Sequence, residues 1–200
     1  SSDVFRAAAA KFWGNEQAWD LTTHEGKAQA AAKIMDRTFV KDSLLLCDSG
    51  WPLMVSWNTP DHVGDPGLES RIFTAVTGIE TDEIGLNRFG ERIFNLQRGI
   101  LLREGLRPPK DDIPEEFNFT DPVESVFMNP EVIIPGVGEE VISRKGQTLD
   151  RNAFETMRKE YYELRGWDAE SGLQKIETLE KLELSELVQD LQKTGNKIRG

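Results

Sequence analysis

The sequence predicts an all-α fold that contains a long irregular segment near residues 106–148. Apolar residues recur at helical spacing in three stretches, 27–46, 81–104 and 150–165, and glycines and prolines separate these stretches. No repeat of fixed period is visible, so a solenoid is not expected. We therefore expect the three stretches to be the main helices of a single helical domain that spans residues 1–200.

The N-terminal third of the chain is expected to hold two helices. Thr22 or Thr23 is expected to cap the second helix, because both precede a run rich in lysine, alanine and glutamine. The apolar stripe of that run continues to about Cys47, and a loop rich in Gly, Pro, Asn and Asp follows it. The first helix is predicted over residues 3–13 by four consecutive alanines and by apolar residues at helical spacing, Val4, Phe5, Ala8 and Phe12.

The middle of the chain predicts a short helix that ends at Gly78, followed by a longer helix with Thr81 as its N-cap. Gly85, Gly90 and Gly99 interrupt the longer helix at a cost of roughly 1 kcal/mol each relative to alanine. Close approach of a neighbouring backbone is one physical reason to accept that cost. The residues predicted to face the core are Ile84, Phe89, Ile93, Phe94, Leu96, Ile100 and Leu101.

The irregular segment contains six prolines, so no long regular element fits it. Two short apolar runs within it, EVIIPG (131–136) and EEVISR (139–144), are able to pair as a small hairpin. Regular structure resumes at Asp150. Leucine-rich pieces over 173–182 and 185–193 follow the third main helix, and residues 194–200 are expected to form a frayed tail.

Composition and charge exclude several classes of protein. The chain has 24 basic and 35 acidic residues, a formal net charge of −11, so it lacks the basic surface that nucleic acid or an anionic membrane requires. No run of eighteen apolar residues occurs that could span a bilayer. One cysteine cannot form an internal disulfide, and a reducing, cytoplasmic location is the expectation.

Few residues carry a chemical signature. His24 and His62 do not stand in a metal-binding pattern, and Asp61 and Asp65 are interpreted as turn-forming residues. A lone cysteine such as Cys47 is usually a small buried hydrophobe. Its context differs, because Asp42 and Leu46 are four residues apart on one helical face and Cys47 follows at the helix end. This arrangement is able to present a carboxylate and a thiolate to one buried ligand.

Four stretches of the chain resemble one enzyme family. The sequence DSLLLCD (42–48) resembles the D-x-x-G-L-C-D motif of the tungsten-containing aldehyde:ferredoxin oxidoreductase family. Residues 72–105 are similar to its long helix with the pattern A-x-T-G … GERI-x-N-L-x-R … REG. Residues 109–117 resemble its D-x-x-P-x-x-F segment, and residues 160–168 its Y-Y-x-x-R-G-W-D signature. Together these stretches cover about residues 26–184 in the family's order.

The resemblance implies a cofactor site at the end of the second helix. Family members bind a tungsten or molybdenum bis-pterin cofactor beside a [4Fe-4S] cluster. By resemblance, Cys47 is a cluster ligand, Asp42 accepts hydrogen bonds from pterin N–H groups and Leu46 contacts a pterin. Thiolate is the usual ligand of such clusters, and an ionised carboxylate is a strong acceptor. One departure concerns Leu45, which stands where the family has glycine.

The resemblance also implies an activity and partners. The parent enzyme is expected to oxidise aldehydes to carboxylic acids with ferredoxin as electron acceptor, and a benzoyl-CoA reductase-type subunit of the same family is the alternative. A cubane cluster needs four ligands and the chain has one cysteine, so this chain is expected to be the C-terminal helical domain of a larger protein. By itself it is expected to be inactive and to hold no cofactor. Its expected partners are the N-terminal and middle domains and ferredoxin or another electron-carrier subunit.

A non-catalytic helical interaction domain is the competing hypothesis. Such a domain would need no deprotonated Cys47. It would also need no exposed apolar face where missing domains pack, and large faces of that kind are unusual in monomers.

Overall fold

Helices make up most of the chain, as the sequence predicts. The computed structural model describes residues 2–46, 54–136, 140–195 and 198–200. The elements are α1 (Ser2–Trp13), a 3₁₀ helix (Glu16–Trp19), α2 (Lys27–Ser43), α3 (Leu68–Thr77), α4 (Glu83–Glu104), α5 (Phe117–Thr120), β1 (Ile133–Pro135), β2 (Val141–Ser143), α6 (Arg151–Leu164), α7 (Ile176–Lys181) and α8 (Ser185–Lys193).

The three predicted main helices are confirmed as α2, α4 and α6, with small changes at their ends. Helix α2 begins after Gly26 instead of being capped by Thr22 or Thr23, and the Asp82 carboxylate, not Thr81, caps α4 by accepting from the Gly85 N–H at 2.8 Å. An aspartate at the N-cap accepts from the orphan N–H groups of the first turn, as a threonine would, so local chemistry does not separate the two candidates.

Helix α4 packs directly on α2 and α8, and its glycines make this possible. A Cβ atom built on Gly90 would lie 1.9 Å from the carbonyl oxygen of Asp36 on α2. One built on Gly99 would lie 2.6 Å from the Leu187 side chain on α8. The expected close approach of a neighbouring backbone is thus confirmed for Gly90. Gly85 has a different environment, since the atoms nearest to its Cβ would belong to the side chains of Thr81 and Asp82 and not to a neighbouring backbone.

The face of α4 that is buried differs from the predicted one. Its buried residues are Leu86, Gly90, Asn95, Arg98, Gly99 and Leu102. Five of the seven apolar residues predicted to face inward are exposed, namely Ile84, Phe89, Leu96, Ile100 and Leu101. Periodicity assigns polar side chains to solvent, whereas here Asn95 and Arg98 bond to Trp167 and Asp112, which lie elsewhere in the chain.

The irregular segment contains the predicted hairpin. Strands β1 and β2 pair antiparallel, with Ile134 opposite Ile142. The frayed tail, in contrast, is wrong for residues 198–200. Ile198 is buried in the leucine-rich core of α7 and α8, and the backbone of Arg199 pairs with Gln174 and Ile176. None of the helices in the described ranges is both long and apolar enough to cross a membrane.

Candidate functional site

The C-terminal end of α2 is a tight left-handed turn. The Leu45 N–H donates to the Asp42 carbonyl at 3.2 Å, and the Leu46 N–H donates to the Lys41 carbonyl at 2.9 Å. Leu45 has a φ of 59°, which is the left-handed conformation. These two bonds form a Schellman motif, in which the residue after the C-cap usually is glycine. The turn ends α2 three residues before the predicted end and fixes the path of the chain toward Cys47.

Leu45 therefore occupies a position that favours glycine for a conformational reason. A left-handed conformation costs a residue with a Cβ roughly 1–2 kcal/mol, and glycine avoids most of that cost. The Leu45 side chain is 92% exposed, so described neighbours offer it little packing in return. The glycine of the D-x-x-G-L-C-D pattern is accounted for by this backbone conformation, which the chain keeps despite its leucine.

Replacing Leu45 with glycine is expected to stabilise the protein by about 1 kcal/mol, because the strain at φ 59° is relieved and little packing is lost. Urea unfolding of both proteins measures the change. Leu44→Gly is the matched control, since Leu44 has a φ of −90° and gains no such relief, so it is expected to destabilise. A Leu45→Gly variant no more stable than the wild type would contradict this reading of the turn.

Asp42 carries a carboxylate in the last turn of α2, where the helix dipole disfavours negative charge. Its side chain is exposed and makes no hydrogen bond or ion pair with any residue of the described ranges. Placement of an unpaired acid at this end reduces helix stability by roughly 0.3–1 kcal/mol. Asp42 is thus better suited to bind an external donor than to hold the fold together.

The other two residues of the predicted site are less fully described. Leu46 is half-buried and follows the turn directly. Cys47, the predicted cluster ligand, lies outside the described residues, so its predicted role stays a prediction. Within the described ranges no group of three or more His, Cys, Asp and Glu side chains is arranged to hold a metal ion. Asp61 and Asp65 accept backbone N–H bonds from Val63 and Gly67, which confirms them as turn-forming residues.

An ion pair anchors α2 to α6. Arg165, which is 2% exposed, pairs with Asp36 in the middle of α2 and donates to the Ala32 carbonyl at 2.9 Å. Its guanidinium also lies 4.5 Å from the centre of the Phe94 ring. Burial raises the pKa of Asp36 to about 6, and the charge and hydrogen bond of Arg165 oppose that rise. The pair fixes the position of α2 along its length, and with it the position of Asp42.

A second network ties α4 to the irregular segment and α6. Arg98 donates two hydrogen bonds to the Asp112 carboxylate, at 2.9 and 2.5 Å, and Tyr162 donates a third at 2.6 Å. Burial acts to raise the pKa of Asp112, but the hydrogen bonds from Arg98 and Tyr162 outweigh it and lower that pKa. Burial and the Asp112 charge raise the pKa of Tyr162, so the phenol stays protonated.

A third network of hydrogen bonds adjoins the second. The Trp167 indole donates to the Asn95 side chain at 2.9 Å, and the Gln174 amide donates to the same oxygen at 2.7 Å. All three residues are almost completely buried. Arg98 joins the two networks, because its guanidinium lies 4.3 Å from the centre of the Trp167 ring.

The three networks bring together motifs that are distant in the sequence. The GERI-x-N-L-x-R stretch supplies Asn95 and Arg98, and the Y-Y-x-x-R-G-W-D stretch supplies Tyr162, Arg165 and Trp167. The motifs alone indicated no role for these residues. Their polarity was the feature of the sequence that could have indicated a role, because the neighbouring helical residues form an apolar face.

The fold is a mostly helical domain in which residues of the family-like motifs form connected, buried hydrogen bonds. The profile of the family described as "Aldehyde ferredoxin oxidoreductase, domains 2 & 3" matches residues 3–184. The chain belongs to this family, as the four motifs predict. Three of the four motifs, those of residues 72–105, 109–117 and 160–168, supply residues to one set of buried hydrogen bonds.

Proposed function

We propose that this chain is the C-terminal helical part of an enzyme that oxidises aldehydes to carboxylic acids and passes the electrons to ferredoxin. The enzyme would hold a tungsten or molybdenum bis-pterin cofactor and a [4Fe-4S] cluster, which supply the redox chemistry when bound. The observation that carries the proposal is the C-terminal turn of α2, which leaves the Asp42 carboxylate without a partner in the described ranges.

Asp42 fits the role of a pterin-binding acceptor. An ionised carboxylate accepts from two N–H groups at once, and such charge-assisted bonds are stronger than neutral ones. Because Asp42 opposes the dipole of its own helix, a donor from outside the chain relieves an unfavourable interaction. Leu46 follows the turn and would cover the apolar part of the ligand, which excludes water from the hydrogen bonds of Asp42.

Cys47 would supply one thiolate to the cluster. A cubane needs four ligands and this chain contains one cysteine, so three ligands would come from the rest of the parent enzyme. The chain on its own is therefore proposed to be incompetent for cluster assembly and for turnover.

The surface of the chain supports contact with further domains. Several large apolar residues lie exposed: Val76, Ile79, Ile84, Phe127, Met128 and Val141. We propose that the N-terminal and middle domains of the parent enzyme cover part of this surface. Exposed apolar faces favour this proposal over a free-standing interaction domain.

Two substitutions in the full-length enzyme test the proposed roles. Cys47→Ala is expected to abolish the cluster, because no second cysteine of this chain is available to replace the thiolate. Asp42→Ala is expected to weaken pterin binding but to spare the cluster, since each lost charge-assisted bond contributes roughly 1.5–3 kcal/mol. Iron, tungsten, molybdenum and pterin contents, the cluster EPR signal and the rate of aldehyde oxidation are measured for each variant.

Glu160→Ala is the matched control, because it removes an exposed helical carboxylate from α6. It is expected to leave metal content and rate at wild-type values. A wild-type EPR signal and rate in Cys47→Ala would show that Cys47 is only a packing residue. Equal pterin loss in Asp42→Ala and Glu160→Ala would rule out a specific role for Asp42.

A further inference from the structure

A cavity lies between α2, α4 and α6, away from the proposed cofactor site. Its volume is about 310 Å³, and it is lined by Ala28 and Ala31 in the first half of α2. Ala31 and Asp42 are eleven residues apart, which corresponds to about 16 Å along the helix. A ligand in this cavity would therefore be distinct from one held at the C-terminus of α2.

The cavity is built mainly from aromatic side chains. Trp167, which is 1% exposed, lines it together with Phe94, and the two rings stack with their centres 5.8 Å apart. Tyr161 meets Trp167 edge to face at 6.0 Å. The small side chains of Ala28 and Ala31 leave the space open on the α2 side. Walls of this kind pack against a flat ring by offset stacking and edge contacts.

Positive charges outnumber negative ones around the cavity, although the chain as a whole is strongly acidic. Lys27, Arg98 and Arg158 line it, and Asp112 is the one acid among the described lining residues. Asp112 is engaged by the bidentate pair with Arg98. The Lys27 ammonium donates to three backbone carbonyls, those of Gln17, Ala18 and Asp20.

Arg158 shares the Asp112 carboxylate with Arg98. It donates to the Pro109 carbonyl at 3.2 Å, and its charge helps to lower the pKa of Asp112, but no carboxylate of the described ranges forms an ion pair with it. The Nε atoms of both arginines are buried and have no acceptor in those ranges. Two guanidinium groups that share one carboxylate leave a positive charge uncompensated, so an anionic group beside Arg158 would be favoured.

We propose that this cavity binds a small aromatic carboxylate. The ring would lie against the half-buried side chains of Phe94, Phe154 and Tyr161, since Trp167 itself is already covered, and the carboxylate would accept hydrogen bonds from Arg158. A volume of 310 Å³ is at the lower end of the range for ligand pockets, so it suits a single ring with a short acidic arm. The proposal does not depend on the cofactor site and concerns this chain's own residues.

Calorimetric titration of the 200-residue chain with benzoate and phenylacetate tests the proposal. We expect saturable 1:1 binding with Kd of about 1 mM or tighter. Acetate has the charge without the ring, and benzyl alcohol has the ring without the charge, so each is expected to bind at least about tenfold more weakly. Absence of saturable binding by both aromatic acids overturns the proposal, and so does equal binding of acetate or benzyl alcohol.

Two pairs of variants locate the site. Arg158→Gln is expected to weaken benzoate binding about tenfold or more, whereas Lys159→Gln, which removes the same charge from the neighbouring exposed position, leaves it unchanged. Ala31→Leu is expected to abolish binding by filling the cavity, and Ala7→Leu, at an exposed alanine of α1, is its control. Circular dichroism verifies that each variant folds. Equal effects of either variant and its control place the ligand elsewhere and overturn the assignment.

Discussion

Replacing Asp112 with alanine is expected to cost about 3 kcal/mol of stability, a large share of the 5–15 kcal/mol that holds a typical domain together. The substitution leaves the Arg98 guanidinium buried without its counter-ion, and it removes the acceptor of the Tyr162 hydroxyl. Because Arg98 also lies against Trp167, the loss extends to the packing of Trp167 on α4. Urea unfolding monitored by circular dichroism measures it.

The neighbouring Asp111 provides a matched control. It also pairs with an arginine, Arg107, but that pair is exposed, so solvent screens it. Asp111→Ala is therefore expected to leave stability almost unchanged. If the two alanine variants lose equal stability, burial of the Arg98–Asp112 pair is not what makes it important.

The same pair predicts a pH dependence. Hydrogen bonds from Arg98 and Tyr162, acting against burial, hold the pKa of Asp112 below its ordinary value of 3.8. A carboxyl group whose pKa is lower in the folded state binds protons more readily when unfolded, so folding becomes less favourable as pH falls below about 4. Asp112→Asn cannot titrate, and its stability deficit relative to the wild type is expected to shrink below that pH. A deficit that stays constant in acid would contradict this sign.

Replacing Gly90 with alanine is expected to destabilise the protein by about 3 kcal/mol as well. The new Cβ would lie 1.9 Å from the Asp36 carbonyl oxygen, and backbone cannot move aside as a side chain does. Helices α2 and α4 must then separate, which shifts Asp42 relative to the rest of the molecule. The free energy of unfolding gives the cost, and metal content in the full-length enzyme reports the shift.

Gly85→Ala on the same helix is the control for Gly90. Its Cβ would meet the Thr81 hydroxyl, a side chain able to rotate away, and would lie 3.3 Å from a carboxylate oxygen of Asp82, but it would meet no backbone of a neighbouring element, and alanine is the better helix former. It is expected to be neutral or slightly stabilising. A Gly90→Ala variant as stable as Gly85→Ala would mean that α2 and α4 are not held in close contact.

Elements that depend on local sequence were predictable. Helical spacing of apolar residues identified α2, α4 and α6, and Gly78 ends α3 in the left-handed conformation, as a C-terminal glycine does. The short hairpin in the irregular segment also followed from its two apolar runs. The motifs in turn gave the family, since their residues and spacing are specific.

Elements that depend on distant partners were not predictable from periodicity. Asn95 and Arg98 were expected to face solvent, because they are polar. The partners that explain their burial, Trp167 and Asp112, lie on other parts of the chain. For the same reason residues 194–200 were predicted to be a frayed tail, although Ile198 is buried in the core formed by α7 and α8.

The candidate site shows the same difference between what local sequence and what tertiary contacts decide. The sequence by itself predicts that Asp42, Leu46 and Cys47 act at one site, because they are neighbours in the chain, and this stays a prediction. Only the tertiary structure decided that Leu45 adopts a left-handed turn and that α2 is fixed by Arg165. Helix formation is governed by contacts within a few residues, whereas helix position is governed by packing and hydrogen bonds between elements far apart in sequence.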